Sequence, residues 1–289
     1  MDNPRLIGRG LAPFDLYPYN PSKTAGWVFV VIFGIGAAVH FVLMFPLRAW
    51  FFIPFILGCV GEAFGYYGRA WSHNNIRDGS PYLLQLMLIL GSAPLLAATV
   101  YMTLGRFARS LQAEKYTIMS VRWVTKIYVL IDIASFGCQM AGSAMQASSD
   151  PTGIKLGQHI VIGGLIVQLI ALGWFIFENT ILHIRLTNGP TVITLKDPSI
   201  PWRSTLWMLR GVSVLIFIRS VYRLIEFTSG SDSALTKHEA FLYVFDASLL
   251  SLVAFLFVVI HPGRLFRKIR ILTLHSLDED GSMMLDERP

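Results

Sequence analysis

Seven apolar runs divide this chain: residues 25–46, 50–68, 82–104, 122–146, 158–182, 206–226 and 240–261. Each is long enough to cross the hydrocarbon core of a bilayer as a helix, which takes about 20 apolar residues. In lipid an unpaired backbone N–H or C=O has no water to bond, so only helices and closed barrels span a membrane, and runs of this length select helices. The expected fold is therefore all-α: a polytopic membrane protein, a seven-transmembrane helix bundle over residues 25–263, with an N-terminal segment 1–24 outside and a basic-then-acidic tail 264–289. Pro46 and Pro54 crowd the turn between the first two runs, which predicts a tight helical hairpin there. The N-terminal segment is polar and proline-rich without a cleavable-signal pattern, so the first run is expected to remain as an anchor.

Composition enters at one point, the choice of partner. The net charge of +6 could suit a nucleic acid, but with 54% hydrophobic and 15% charged residues and a mean hydropathy of +0.55 this is membrane composition. The basic residues lie between the runs, where they set orientation and form no patch for nucleic acid. With the N-terminus outside, inward segments carry Arg48, then Arg106, Arg109, Lys115, Arg122 and Lys126, then Arg185, Lys196 and Arg203, then Arg264, Arg267, Lys268 and Arg270. Outward segments carry only Arg5, Arg9, Lys23, Arg69, Arg77, Lys155 and Lys237. That asymmetry places the C-terminus in the cytoplasm, with the acidic end from Asp278 to Glu287 read as a disordered tail. Cys59 and Cys138 both lie inside apolar runs, so no disulfide framework, zinc spacing or other metal site is expected, and no cofactor.

The polar residues inside the runs need a reason. In the sixth run Arg219, Tyr222, Arg223 and Glu226 recur at helical spacing and form one stripe. A charge at the centre of a membrane costs about 2.5–3.5 kcal/mol on insertion scales, so such residues face a bundle interior and pair. Arg223 can pair locally with Glu226; Arg219 needs a carboxylate from another helix, and Glu62, Asp132, Glu239 and Asp246 are the candidates. Further stripes hold Glu62 and Arg69 in the second run, Gln85 before Ala93-Pro94 in the third, and Asp132, Ser135, Gln139 and Gly142 in the fourth. The fifth holds Gly157, Gly164 and Gln168, and the seventh Glu239, Tyr243 and Asp246.

Five acids, Glu62, Asp132, Glu226, Glu239 and Asp246, face three arginines, Arg69, Arg219 and Arg223, an excess of two. An acid-rich interior suits a cationic amphiphile, or a carboxyl that carries a proton. Individual pairs also serve to fix packing and register, and Glu62, Arg69, Glu226 and Glu239 could reach an interface by snorkelling. The glycines Gly58, Gly61 and Gly65 of the second run, with those of the fifth, allow close helix approach within the bundle or against a second subunit, so a homo-oligomer stays open.

Taken in order, these stripes resemble the fungal seven-span lipid-translocating exporters, a family tied to aminosterol resistance and to export of sphingoid long-chain bases. The resemblance runs from Tyr19-Asn-Pro-Ser22 through Glu62, Gly65, Tyr66 and Arg69, through Gln85, Pro94 and Tyr101, and through Asp132, Ser135, Gln139 and Gly142. It continues with Gly157, Gly164 and Gln168, then Arg219, Arg223, Glu226 and Gly230, then Glu239, Tyr243 and Asp246, and closes on His261-Pro262-Gly263. Tyr222 stands where the family's pattern leads us to expect phenylalanine. The resemblance implies a multi-pass protein of a fungal plasma membrane, a transporter of lipids or amphiphilic drugs of sphingoid-base-like or sterol-like kind. Its partners would be membrane lipids and an amphiphilic substrate.

The chain is not expected to be an enzyme: there is no phosphate-binding Gly-x-x-x-x-Gly-Lys-Ser/Thr loop, and His40, His159, His183 and His261 share no metal-binding spacing. A polar cavity is expected among Glu62, Arg69, Gln85, Asp132, Gln139, Gln168, Arg219, Tyr222, Arg223, Glu226, Glu239, Tyr243 and Asp246. A lipid- or stress-sensing receptor fits the same topology.

Overall fold

In the computed structural model, residues 16–146, 151–197, 199–229 and 233–273 are described. Gly230 and the expectations for residues 1–15 and for the acidic end lie outside them. Among the described residues the secondary structure is helical, with no strand. The helices are α1 (Lys23–Leu47), α2 (Ile53–Ser72), α3 (Gly79–Ser110), α4 (Val121–Gln146), α5 (Pro151–Asn188), the short α6 (Val192–Lys196), α7 (Trp202–Ser229), α8 (Ala234–Lys237), α9 (Glu239–Leu242) and α10 (Ser248–Val259). A single π turn, Tyr243–Ala247, joins α9 to α10, and helix resumes over 262–273.

The local signals act as the sequence suggests. Ser22 caps α1 by accepting the Ala25 N–H, and Asp78 caps α3 by accepting that of Ser80. Arg48 closes α1 in the left-handed region at φ 49°, its N–H bonding the Met44 and Phe45 carbonyls, and Pro54 sits in the first turn of α2 where no N–H partner is needed. These two devices, with the one-turn 3₁₀ helix Trp50–Phe52 between them, make the tight α1–α2 hairpin. Pro94 lies inside α3, which runs through it without a break.

The long helices close a ring: α1 packs on α2, α2 on α3, α3 on α4, α4 on α5, α5 on α7, α7 on α10, and α10 returns to α1. Helix α7 also touches α3 across the middle. Lipid tails are as apolar as leucine, so close packing must hold helices together. The glycine face of α2 does this against α3. A Cβ on Gly65 would come within 2.6 Å of Ile89, and one on Gly68 within 3.1 Å of backbone atoms at Pro81 and Gln85. Gly142 on α4 meets Gly157 on α5 in the same way. The glycine faces of the second and fifth runs are thus used within the chain. Val31, Ile35 and Val42 of α1, Ile166 and Ile170 of α5 and Phe255 of α10 remain exposed on the outside of the ring, as lipid-facing residues would be.

Among the described residues, six helical segments are long and apolar enough to cross a membrane: Lys23–Leu47, Trp50–Ser72, Gly79–Ser110, Val121–Met145, Thr152–Asn188 and Glu239–Thr273. The sixth apolar run, now α7, has the length at 28 residues. Arg203, Arg210, Arg219, Arg223 and Glu226 dilute its apolarity. Residues 264–273, placed in the tail by sequence, pack Leu265 and Ile269 into the bundle while Arg264 and Arg270 stay at its edge.

Candidate functional site

Two polar layers meet between α2, α7 and α10. In the deeper one, Asp246 of the π turn takes both arginines of the α7 stripe. Its Oδ2 accepts a hydrogen bond from Arg223 Nη2, and its Oδ1 faces Arg219 Nε as a charge pair without hydrogen-bond alignment. Arg219 Nη2 donates to the Ile89 carbonyl of α3 at 3.3 Å, and Arg223 Nη1 to Glu226 Oε2 at 2.9 Å. Of the four candidate carboxylates for Arg219, Asp246 is the partner. It lies where the α-helical ladder widens, and single π turns inside helices often mark functional positions. Tyr222 turns aside to stack on Phe245 at 5.7 Å, its hydroxyl unpartnered.

Glu62 lies in the same layer, within electrostatic reach of Asp246, Arg219 and Arg223. It has no exposed surface, and neither carboxyl oxygen has a hydrogen-bond partner. One turn on, the Tyr66 hydroxyl is likewise buried and unpartnered.

The second layer lies towards the α1 N-terminus. Arg69 Nη2 lies 3.0 Å from Glu239 Oε1, its Nε donates to the same oxygen, and it also donates to Tyr19 Oη at 2.6 Å and to Gln85 Oε1 at 3.4 Å. The Ser22 N–H donates to both Glu239 oxygens at 2.9 and 3.0 Å. Tyr17 Oη donates to Gln85 Oε1 at 3.1 Å and lies 2.9 Å from Ser72 Oγ, and His73 Nδ1 donates to the Pro21 carbonyl at 2.8 Å. Burial pushes the Tyr17 phenol up to about 12, since charging it would require removing it from water. The arginine is ringed by Tyr17, Tyr19 and Tyr243 at 5.5–5.8 Å. Residues 17–22 thus form a strap that crosses α2, α3 and α9.

The remaining predicted residues form a third group between α4 and α5. Asp132, buried, is flanked by the Tyr101 hydroxyl and the Gln168 amide, and Gln139 Nε2 donates to Gln168 Oε1 at 3.2 Å. Ser135 donates to the Gly164 carbonyl at 2.5 Å. The thirteen site residues are therefore distributed over three groups. Glu239, Arg69, Gln85 and Tyr243 belong to the strap layer, and Asp132, Gln139 and Gln168 stand apart from the α7 arginines.

Sequence reasoning passed over two features. Glu178 is fully buried in α5, accepting from the Met119 N–H at 3.1 Å and the Tyr128 hydroxyl at 3.2 Å. A carboxylate in the run Phe175-Ile-Phe-Glu178 was a signal of the same kind as Asp132. At the opposite end of the bundle from the strap, His40 and His261 lie buried with ring centroids 5.9 Å apart, against Phe52 and Phe55. Gly263 N–H donates to His261 Nδ1, and His40 Nε2 donates to the Ala254 carbonyl, so the backbone fixes both tautomers. No group of three metal-ligating side chains occurs among the described residues.

The charged core is buried apart from Glu226, whose side chain is 19% exposed. Two surface grooves lie elsewhere, one along Lys23, Trp27 and Val31 of α1 and one among His183, Trp207 and Arg210.

Comparison with known proteins places this architecture. Residues 55–269 match the family model described as RTA1 like protein. Protein RTA1 of Saccharomyces cerevisiae is 32% identical over 274 residues, 86% of this chain and 85% of that one. Protoporphyrin uptake protein 1 of the same yeast is 32% identical over 279 residues, 84% of this chain and 91% of that one. The sphingoid long-chain base transporter RSB1 of S. cerevisiae is 27% identical over 270 residues, 82% of this chain and 71% of that one. No solved structure matches. The matched segment takes in α2 through α10, with the arginine stripe, Asp246 and Glu62, and on that ground the chain belongs to the RTA1-like family of multi-pass membrane proteins.

Proposed function

We propose that this protein is a translocase for amphiphilic, lipid-like molecules of a fungal plasma membrane, and that it contributes to tolerance of toxic compounds without being an enzyme. In this reading α7 is a seventh span, sheltered from lipid by its neighbours, and the strap end faces outside, as the basic residues near Arg106 and Arg267 support. The observation that carries the reading is the charged core: Arg219, Arg223, Asp246 and Glu226, with Glu62 beside them, inside an apolar ring. Buried charges of this density at membrane depth mark substrate or ion paths. Relatives named for sphingoid-base transport and protoporphyrin uptake support an amphiphile as the cargo. The head group would pass near Glu226, at the more open edge of the core, while the tail stays in lipid.

The test is movement of a labelled sphingoid base in vesicles that contain the purified chain, native against Glu226→Gln at matched incorporation. Transport by the native chain that Glu226→Gln weakens supports the reading. The burial of most of the core favours one competing reading, a lipid-sensing receptor, and native vesicles that bind the base without moving it would establish that instead.

A further inference from the structure

We infer that Glu62 is the exchange carboxyl of the core, the group that surrenders a proton when a cationic head group enters and takes it back when the head group leaves. The inference rests on the proposed passage of an amphiphile through this core.

Position is the first ground. Glu62 lies near the middle of α2, about 15 Å from either end at 1.5 Å per residue. It is fully buried there, and both carboxyl oxygens lack a hydrogen-bond partner. Buried carboxylates are paired or protonated as a rule, because a lone charge in an apolar medium is prohibitively disfavoured.

Charge balance is the second. The two arginines of α7 are matched by Asp246 and Glu226, so the core is neutral before Glu62 is counted. An ionised Glu62 leaves one negative charge in excess; a proton or one bound monovalent cation on Glu62 restores zero. The groups that face it from neighbouring helices offer no substitute. Arg219 and Arg223 are committed to Asp246, and Asp246 itself repels a second carboxylate. On its own helix Glu62 has Cys59 and Tyr66, and no charged group of α1 or α3 acts on it among the described residues.

The wall beside Glu62 is the third ground. The Tyr66 ring stacks on Phe33 at 5.8 Å and lies 5.4 Å from Phe29 and 6.0 Å from Tyr243, an aromatic surface of the kind that holds ammonium groups. The Tyr66 hydroxyl, unpartnered one turn away, can turn to the carboxylate once it is charged. Asp132 lacks this setting, since Tyr101 and Gln168 already flank it.

The exchange balances. The O–H bond of the Glu62 carboxyl breaks, the proton passes to water, and the carboxylate pairs with the entering ammonium. Net core charge stays at zero, and reversal reloads the proton.

The full chain in nanodiscs of zwitterionic lipid, in weak buffer near neutral pH, is titrated with submicellar dodecyltrimethylammonium, which carries no proton of its own. A pH-indicator dye reads the protons released, and a radiolabel reads saturable binding. The expected result is saturable release approaching about one proton per bound cation in the native chain, abolished in Glu62→Gln and retained in Glu178→Gln, which alters a carboxyl buried away from the core. Saturable binding without proton release, or undiminished release in Glu62→Gln, overturns the inference and leaves the proposed function standing. Absence of saturable binding overturns both. Equal release on adding sodium chloride at the same concentration overturns the assignment of an amphiphilic cation. Should Glu62→Gln fail to fold, labelling of the native chain by a hydrophobic carbodiimide, which attacks protonated carboxyls in apolar surroundings, decides the matter. Glu62 is expected to be modified and to be protected by the long-chain cation, whereas modification of other carboxyls with Glu62 spared overturns the inference.

Discussion

The strap layer and the core layer are built from the same residue types, arginine, carboxylate and tyrosine, and differ in how completely those groups are bonded. Around Arg69, the strap tyrosines, Gln85, Ser22 and Glu239 satisfy one another by direct hydrogen bonds. Around Arg219 and Arg223, Glu62 has two free oxygens and Tyr66 and Tyr222 have free hydroxyls. A buried network as nearly satisfied as this one, where the Tyr243 hydroxyl is the exception, fixes geometry. Unsatisfied buried polar groups in a native protein instead ask for a functional reason. The difference separates a latch, which ties the first residues to three helices, from a place where chemistry is still to be completed by a cargo or a proton.

The largest expected effect comes from removing the charge that both α7 arginines share. Asp246→Asn leaves two buried guanidiniums with Glu226 alone, at a cost of about 3–5 kcal/mol, and should abolish stable expression as read by detergent-solubilised melting. Arg69→Met comes next. It strands Glu239 and unties the strap, and because the Glu239 side chain is 17% exposed the loss should be smaller, about 2–3 kcal/mol, with protease cleavage within residues 16–22 appearing in the variant only. Tyr19→Phe removes one hydrogen bond to Arg69 and should cost about 0.6–1.7 kcal/mol, from the average to the largest value found between membrane helices.

Alkali gives the subtlest break in the comparison. Because the Tyr17 phenol titrates higher when docked than when free, docking favours its neutral form. Its contribution is complete below the free value of 10.0 and is lost as pH rises through about 12. Strap cleavage should therefore increase with pH in the native chain over that window and lose this dependence in Tyr17→Phe.

The bundle was legible where physics is local. Run length and composition located the helices, Pro54 and the proline-crowded turn announced the hairpin, and the three-residue spacing of Arg223 and Glu226 gave their ion pair. The need of Arg219 for an outside carboxylate was also legible; the choice of Asp246 was not, because it is made by tertiary packing at a π turn that no sequence periodicity marks. The acid excess of two resolves into Glu62 and Asp132, the carboxyls left without an arginine, but sequence spacing alone puts Glu62 on the same helical face as Arg69 and tells nothing of their different partners. The strap joins residues separated by 50 to 217 positions, as in Tyr19 to Arg69 and Ser22 to Glu239, and such pairings leave no local trace. Glu178 has Trp174, Phe175, Ile181 and Leu182 three and four places away, where Asp132 has Ser135, so no close polar stripe marks it.

The most direct measurement of the central claim compares transport and stability in one pair of variants. Glu62→Gln keeps the shape of the side chain and removes its proton exchange; Tyr19→Phe loosens the latch and leaves the core intact. Sphingoid-base movement into vesicles and melting temperature are read for both against the native chain. The expected result is a Glu62→Gln protein that melts within about 3 °C of native, the shift that about 1 kcal/mol produces in a chain of this size, yet moves no base. Tyr19→Phe should melt lower and still transport. A Glu62→Gln protein that moves the base at the native rate would contradict the assignment of the chemistry to the core.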